Sequence, residues 1–90
     1  MTRYYADRAR PQSGFYEIQE SEDGYRWRWT EPVTDQECDD FGKWRETRAE
    51  ALRDAAWDWD SNGSPDEYPR LAPTLRGLAT RAELTDLKEN

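Results

Sequence analysis

The residues of this chain that could do chemistry are its carboxylates, because histidine is absent and there is a single cysteine. Without an imidazole, neither a histidine-dependent triad nor an imidazole metal site can form. Cys38 lies among Asp35, Glu37, Asp39 and Asp40, and negative neighbours disfavour a reactive thiolate. No glycine-rich phosphate loop is present. We therefore expect no catalytic residues, no cofactor and no enzyme activity.

Five carboxylates crowd into one ten-residue stretch, at Glu31, Asp35, Glu37, Asp39 and Asp40. The alternation of Asp35, Glu37 and Asp39 is typical of calcium-binding loops. However, Asp40 stands where the turn glycine belongs, and no glutamate ligand follows at the required distance, so we expect no metal site. Spaced carboxylates can also imitate the phosphates of a nucleic acid. The stretch therefore predicts a surface that docks on a basic groove of a partner.

The distribution of charge supports the same interpretation. The net charge of −7 matches the net charge of residues 15–40 alone, which hold nine acids against Arg26 and Arg28, whereas residues 1–14 form a basic arm of net +2 that we expect to be mobile. A negative field attracts basic surfaces and repels nucleic acids and membranes. We expect a protein partner with a basic surface and no membrane association. We also expect no direct nucleic-acid binding, because the basic arm is the only feature that favours it. The alternative is that the charge serves solubility alone.

Trp57 is a further candidate for partner binding. On a helical wheel it lies about 130° from the centre of the apolar stripe formed by Leu52, Ala56 and Trp59, among acidic residues that include Asp54 and Asp58. A large ring framed by carboxylates on an outer helix face is a candidate hot spot, and we include all three residues in the predicted site. The alternative is that the C-terminal segment covers Trp57 through one of three leucines: Leu75, Leu78 or Leu84.

The elements that must position these residues form one α+β domain over residues 1–90. Aliphatic residues are scarce, so five Trp and five Tyr must supply the core. Alternation predicts a hairpin over 15–30 with its turn at Asp23-Gly24. A two-residue turn puts Ile18 opposite Trp29, and a four-residue loop puts it opposite Trp27. Both registers leave the same residues on each face.

The hairpin should extend to an antiparallel sheet of three or four strands, with a further short strand over 41–46. Thr47 and Glu50 fit a capping box that begins a helix over 47–60, packed on the sheet. A proline-rich loop over 64–73 precedes a C-terminal helical segment near 74–88, which a second capping box at 80–83 can divide in two. The predicted core has seven members: Tyr16, Ile18, Trp27, Trp29, Leu52, Ala56 and Trp59.

A short, acidic, aromatic-rich and histidine-free chain resembles the small inhibitors that phages and mobile elements encode, such as anti-CRISPR and anti-restriction proteins. The resemblance implies a phage-type protein that blocks a basic, nucleic-acid-binding surface of a host defence complex such as CRISPR–Cas, in the cytoplasm of a bacterial host cell. A lone cysteine fits that reducing compartment. The hairpin-then-helix order, with the helix start at Thr47, is also similar to antitoxin-like ββα modules, which neutralise a small protein partner.

Overall fold

The computed structural model describes residues 2–30 and 40–89 and has the predicted α+β architecture. An antiparallel sheet has the strand order β1 (Arg3–Tyr5), β2 (Phe15–Ser21), β3 (Gly24–Thr30) and β4 (Asp40–Phe41). Two α-helices, α1 (Arg48–Asn62) and α2 (Leu71–Glu89), and a short 3-10 helix over Pro11–Ser13 complete the described part of the chain. Helix α1 packs on β2 and β3, and α2 packs mainly on α1 and reaches β1.

The hairpin has the register of the longer predicted loop, with Tyr16 opposite Trp29 and Ile18 opposite Trp27. The last ladder pair is Ser21 with Gly24. The turn therefore contains only Glu22 and Asp23 and lies one residue earlier than the predicted turn at Asp23-Gly24. Gly24 has a positive φ of 117° and lies so close to Arg45 that a Cβ would be 2.0 Å from the Arg45 carbonyl oxygen. This glycine therefore serves both the turn and the approach of the neighbouring segment.

The strand predicted over 41–46 is wrong in extent. β4 contains only Asp40 and Phe41, and the chain returns to the sheet at a single bridge between Tyr25 and Arg45. Gly42 still donates its N–H to the Trp27 carbonyl at 3.0 Å, with its backbone so close to the Trp27 ring that a Cβ would stand 2.2 Å from the indole Nε1. The pairing then shifts by one residue, since Arg28 pairs with Phe41 whereas Tyr25 pairs with Arg45, and this shift interrupts the ladder.

Helix α1 begins as predicted, since the Thr47 side chain accepts a hydrogen bond from the Glu50 backbone N–H at 3.2 Å. It runs to Asn62, two residues beyond the predicted end. Gly63 then donates its N–H to the Trp59 carbonyl at 2.9 Å. A Cβ on Gly63 would lie 2.3 Å from the Trp59 ring, so a glycine is required here by close packing.

Helix α2 is longer than predicted and is continuous over Leu71–Glu89. The predicted loop over 64–73 therefore ends at residue 70, because Pro73 sits in the first helical turn, where a missing N–H is tolerated. The second capping box is not a cap. Thr80 donates its hydroxyl to the Arg76 carbonyl at 3.1 Å in the helix interior, so α2 is not divided.

The predicted core is confirmed, since all seven of its members are buried. What the prediction omitted is the contribution of α2 and of further small residues of α1. Three alanines of α1 that were outside the predicted core are fully buried, namely Ala49, Ala51 and Ala55, and α2 adds Leu71, Ala72, Leu75 and Ala79. Ion pairs of Arg53 with Glu83 and of Arg76 with Asp60 join the two helices at their surface. Within the described part of the chain, neither helix is long and apolar enough to cross a membrane.

Candidate functional site

The predicted site residues fall into two groups. Glu31, Asp35, Glu37 and Asp39 lie outside the described residues, as does Cys38. The described site residues are Asp40, Asp54, Trp57 and Asp58, and they do not all lie at the same place in the fold. Asp40 and Asp58 line one pocket, whereas Asp54 and Trp57 do not.

This pocket has a volume of about 360 Å³ and opens where the end of α1 meets the sheet and the loop that follows the helix. We call it the acidic aromatic pocket. Its lining combines rings and carboxylates that come from five separate parts of the chain. The aromatic members are Tyr16, Trp29, Trp59 and Tyr68, and the acidic members are Asp40, Asp58 and Glu67.

The sheet and α1 together position the rings. Tyr16 and Trp29 are cross-strand partners, and their ring centroids lie 4.7 Å apart. Trp59 projects from α1 and places its ring 5.3 Å from that of Trp29. The Trp59 indole N–H donates to the Tyr68 carbonyl at 3.2 Å, which ties the following loop to the helix. The inner rings are buried, so they form the floor of the pocket.

Asp58 joins the floor to the acidic rim. Its carboxylate accepts a hydrogen bond from the Tyr16 hydroxyl at 2.7 Å and another from the Asn62 side-chain amide at 3.0 Å. Burial raises the pKa of Tyr16 above its ordinary value, and the bond to Asp58 and the charges of Asp58, Asp40 and Asp60 raise it further. Tyr16 therefore remains a neutral donor to Asp58.

The charge of the pocket favours an organic cation. Among the described residues, its lining contains three carboxylates and no lysine or arginine. A guanidinium or ammonium group gains both from carboxylates and from aromatic rings, whose faces carry negative potential. The described residues contain no group of three or more carboxylates close enough to hold a metal ion. The arrangement therefore suits a basic side chain.

Asp54 has a structural partner instead of a place in the pocket. Its carboxylate lies 3.2 Å from the Arg45 guanidinium, which also approaches Glu50 at 3.4 Å. These contacts attach the segment before α1 to the helix itself. The predicted acidic frame around Trp57 is thus partly used within the molecule, because Asp54 and Asp58 both have internal partners.

Trp57 itself is exposed, with 67% of its surface accessible. The alternative that a leucine of the C-terminal segment covers it is wrong. Leu75 is fully buried in the core, Leu78 is half-buried against it, and Leu84 is 55% exposed. The contact between α1 and α2 ends at the ion pairs of Arg53 with Glu83 and of Asp60 with Arg76, and the Trp57 ring remains outside it.

Sequence reasoning missed Glu67 and Tyr68 as site residues and placed Tyr16, Trp29 and Trp59 only in the core. No local pattern could have joined these residues, since the pocket combines residues as far apart as Gln12 and Tyr68. The one available signal was the Glu67-Tyr68 pair in an otherwise polar loop after α1. Comparison with known proteins gives no match to a protein-family model, to a curated protein or to a solved structure.

Proposed function

We propose that this chain is a non-catalytic binding protein that takes a basic side chain of a protein partner into its acidic aromatic pocket. The observation that carries the proposal is the composition of the pocket, in which three carboxylates surround a floor of aromatic rings. An arginine side chain matches both features, because its guanidinium pairs with carboxylates and stacks on rings. Asp40 and Glu67 are exposed and available for such pairing.

The proposed partner presents a basic, nucleic-acid-binding surface, as in a host defence complex such as CRISPR–Cas that a phage-type inhibitor would block. Two features support this class of partner. Asp40, at the rim of the pocket, is the last member of the acidic stretch that begins at Glu31. The same stretch would extend the contact over several basic groups of the partner through Asp35, Glu37 and Asp39. The second feature is the exposed ring of Trp57, which would add an aromatic anchor to the contact.

A labelled arginine-containing peptide tests the chemistry of the pocket. The double variant Asp40→Asn/Glu67→Gln removes two of its three negative charges without removing a ring. The matched control Glu22→Gln/Asp23→Asn removes the same charges at the exposed hairpin turn. Fluorescence anisotropy at low salt should show weaker binding for the pocket variant by about tenfold, and little change for the control. Equal weakening in both variants would reduce the effect to net charge and contradict the proposal.

Affinity capture from a bacterial lysate with the same three proteins then tests the class of partner. The proposed inhibitor should retain a nucleic-acid-binding protein complex, and added nucleic acid should displace that complex. The pocket variant should lose it and the control should keep it. Retention of one small toxin that is insensitive to nucleic acid would favour the antitoxin-like function instead.

A further inference from the structure

A second cavity lies between β1 and α2, and its charge is opposite to that of the acidic aromatic pocket. It has a volume of about 790 Å³ and is lined by consecutive residues 2–8 and by one side of α2. Arg3, Arg8, Arg70 and Arg81 line it, against Asp7 as the one acid in its described lining. We call it the arginine groove. It shares no lining residue with the acidic aromatic pocket.

Three of the four arginines of this groove have no ion pair among the residues whose side chains are described, whereas Arg3 stacks on the Phe15 ring at 4.6 Å. Elsewhere, Arg45, Arg53 and Arg76 form ion pairs with carboxylates. Arg8, Arg70 and Arg81 are exposed and have no carboxylate partner among the residues whose side chains are described, which are 2–10, 12–30 and 40–85. In a chain with 20 acids and 13 bases, arginines without ion pairs that gather around one groove indicate a site for an external anion.

The edge of the sheet adds a second recognition element. β1 is the first strand in the sheet order, and among the described residues it pairs with β2 alone. The Ala6 N–H donates to the Gly14 carbonyl, and the same register makes Tyr4 and Tyr16 a hydrogen-bonded pair. By the alternation of an antiparallel ladder, the backbone groups of Arg3 and Tyr5 then point away from β2. Such an edge can accept an additional strand.

We propose that the arginine groove binds an extended acidic peptide segment of a protein partner, which pairs with β1 as a fifth strand. The backbone groups of Arg3 and Tyr5 would pair with the peptide main chain. The guanidinium groups of Arg8, Arg70 and Arg81 would pair with carboxylates along it, since a guanidinium binds carboxylates in a bidentate fashion. A nucleic acid would use only the arginines, since it has no peptide main chain that could pair with β1.

Three labelled probes test this proposal by fluorescence anisotropy at low salt. They are a peptide that alternates glutamate with threonine, a peptide that alternates lysine with threonine, and a ten-nucleotide single-stranded DNA. The variant Arg70→Gln/Arg81→Gln removes two charges from the groove. The matched control Arg10→Gln/Lys43→Gln removes two exposed charges outside it. The acidic peptide should bind the wild-type protein, and the groove variant should weaken that binding by at least about tenfold, with the control unchanged.

Amide chemical-shift mapping by NMR distinguishes main-chain pairing with β1 from binding by charge alone. The acidic peptide should shift the amides of Arg3 and Tyr5 more than those of β3. Absence of acidic-peptide binding, equal weakening in both variants, or tighter binding of the DNA than of the peptide would each overturn the proposal. So would binding that leaves the amides of Arg3 and Tyr5 unshifted, since the peptide would then not pair with β1.

Discussion

The acidic aromatic pocket and the arginine groove differ in what holds their polar groups. In the pocket, Asp58 is hydrogen-bonded to Tyr16 and Asn62, and the floor consists of core rings. In the groove, Arg70 directly precedes α2 and Arg81 lies on it, and both side chains are exposed. The comparison teaches that the pocket cannot be separated from the fold. Its substitutions test stability and binding together, whereas substitutions in the groove test binding alone.

The two cavities also divide the charge of the molecule. The described lining of the pocket has three acids and no base, and that of the groove has four bases and one acid. Because exposed charges are screened over about 8 Å at physiological ionic strength, each cavity presents its own sign to a nearby partner. A net charge of −7 therefore describes the long-range field and not the local chemistry of either site.

The largest expected effect comes from the pocket floor. Trp59→Ala should lower the free energy of unfolding by about 3–5 kcal/mol, as large aromatic deletions in cores do. The ring is 4% exposed, contacts Tyr16 and Trp29, and donates to the Tyr68 carbonyl. With a total stability of about 5–15 kcal/mol expected for a domain of this kind, urea unfolding followed by circular dichroism should show a large fall in midpoint.

Trp57→Ala is the matched control for that experiment. It removes the same side chain two residues earlier on α1, at a position where 67% of the surface is accessible. Its effect on the free energy of unfolding should stay within about 0.5 kcal/mol, as for most surface substitutions. Equal losses at Trp57 and Trp59 would contradict the placement of the pocket floor in the core.

A smaller effect is expected at the bond between floor and rim. Tyr16→Phe removes the hydroxyl that donates to Asp58 at 2.7 Å. The loss should be about 1 kcal/mol, the typical net value of one hydrogen bond, because the half-exposed Asp58 regains water. Thermal or urea unfolding of the two proteins at neutral pH measures the difference.

The same variant predicts a pH dependence. The pKa of Tyr16 is raised in the folded state above its ordinary value of 10.0. A raised pKa stabilises the fold fully below the unfolded value and loses that contribution as pH rises above it. The stability advantage of the wild-type protein over Tyr16→Phe should therefore be constant up to about pH 9 and shrink above pH 10. An advantage that grows with pH would show that Tyr16 is not a neutral donor in the fold.

Much of the fold could be predicted from the sequence, because its strongest signals are local. The alternation of Tyr25, Trp27 and Trp29 fixes the core face of the hairpin, and the Thr47 cap fixes the start of α1. The errors occur where tertiary contacts override local patterns. A one-residue shift in pairing between Phe41 and Arg45 interrupts the strand predicted over 41–46. In the interior of α2, the Thr80 hydroxyl of the second capping motif bonds to a helix carbonyl instead of capping a helix.

The candidate sites could be predicted only in part. Asp40 and Asp58 were in the predicted site, but their meeting in one pocket depends on the packing of α1 against the sheet. The groove could not be predicted from the sequence, because its arginines come from opposite ends of the chain. Two lie near the N-terminus, at Arg3 and Arg8, and two lie more than 60 residues later, at Arg70 and Arg81. A net charge summed along the chain conceals such a cluster when its members are distant in sequence.

The smallest expected effect on stability belongs to the arginine groove. In Arg70→Gln/Arg81→Gln, the net charge of the protein changes from −7 to about −9, which slightly increases the general repulsion. Both side chains are exposed, and neither has an ion pair among the residues whose side chains are described. The free energy of unfolding should therefore change by no more than about 0.5 kcal/mol, which a urea titration at 0.15 M salt can verify. A loss of about 2 kcal/mol or more in the free energy of unfolding would mean that the groove arginines hold α2 in place. The contrast between a pocket built into the core and a groove left free for a partner would then no longer stand.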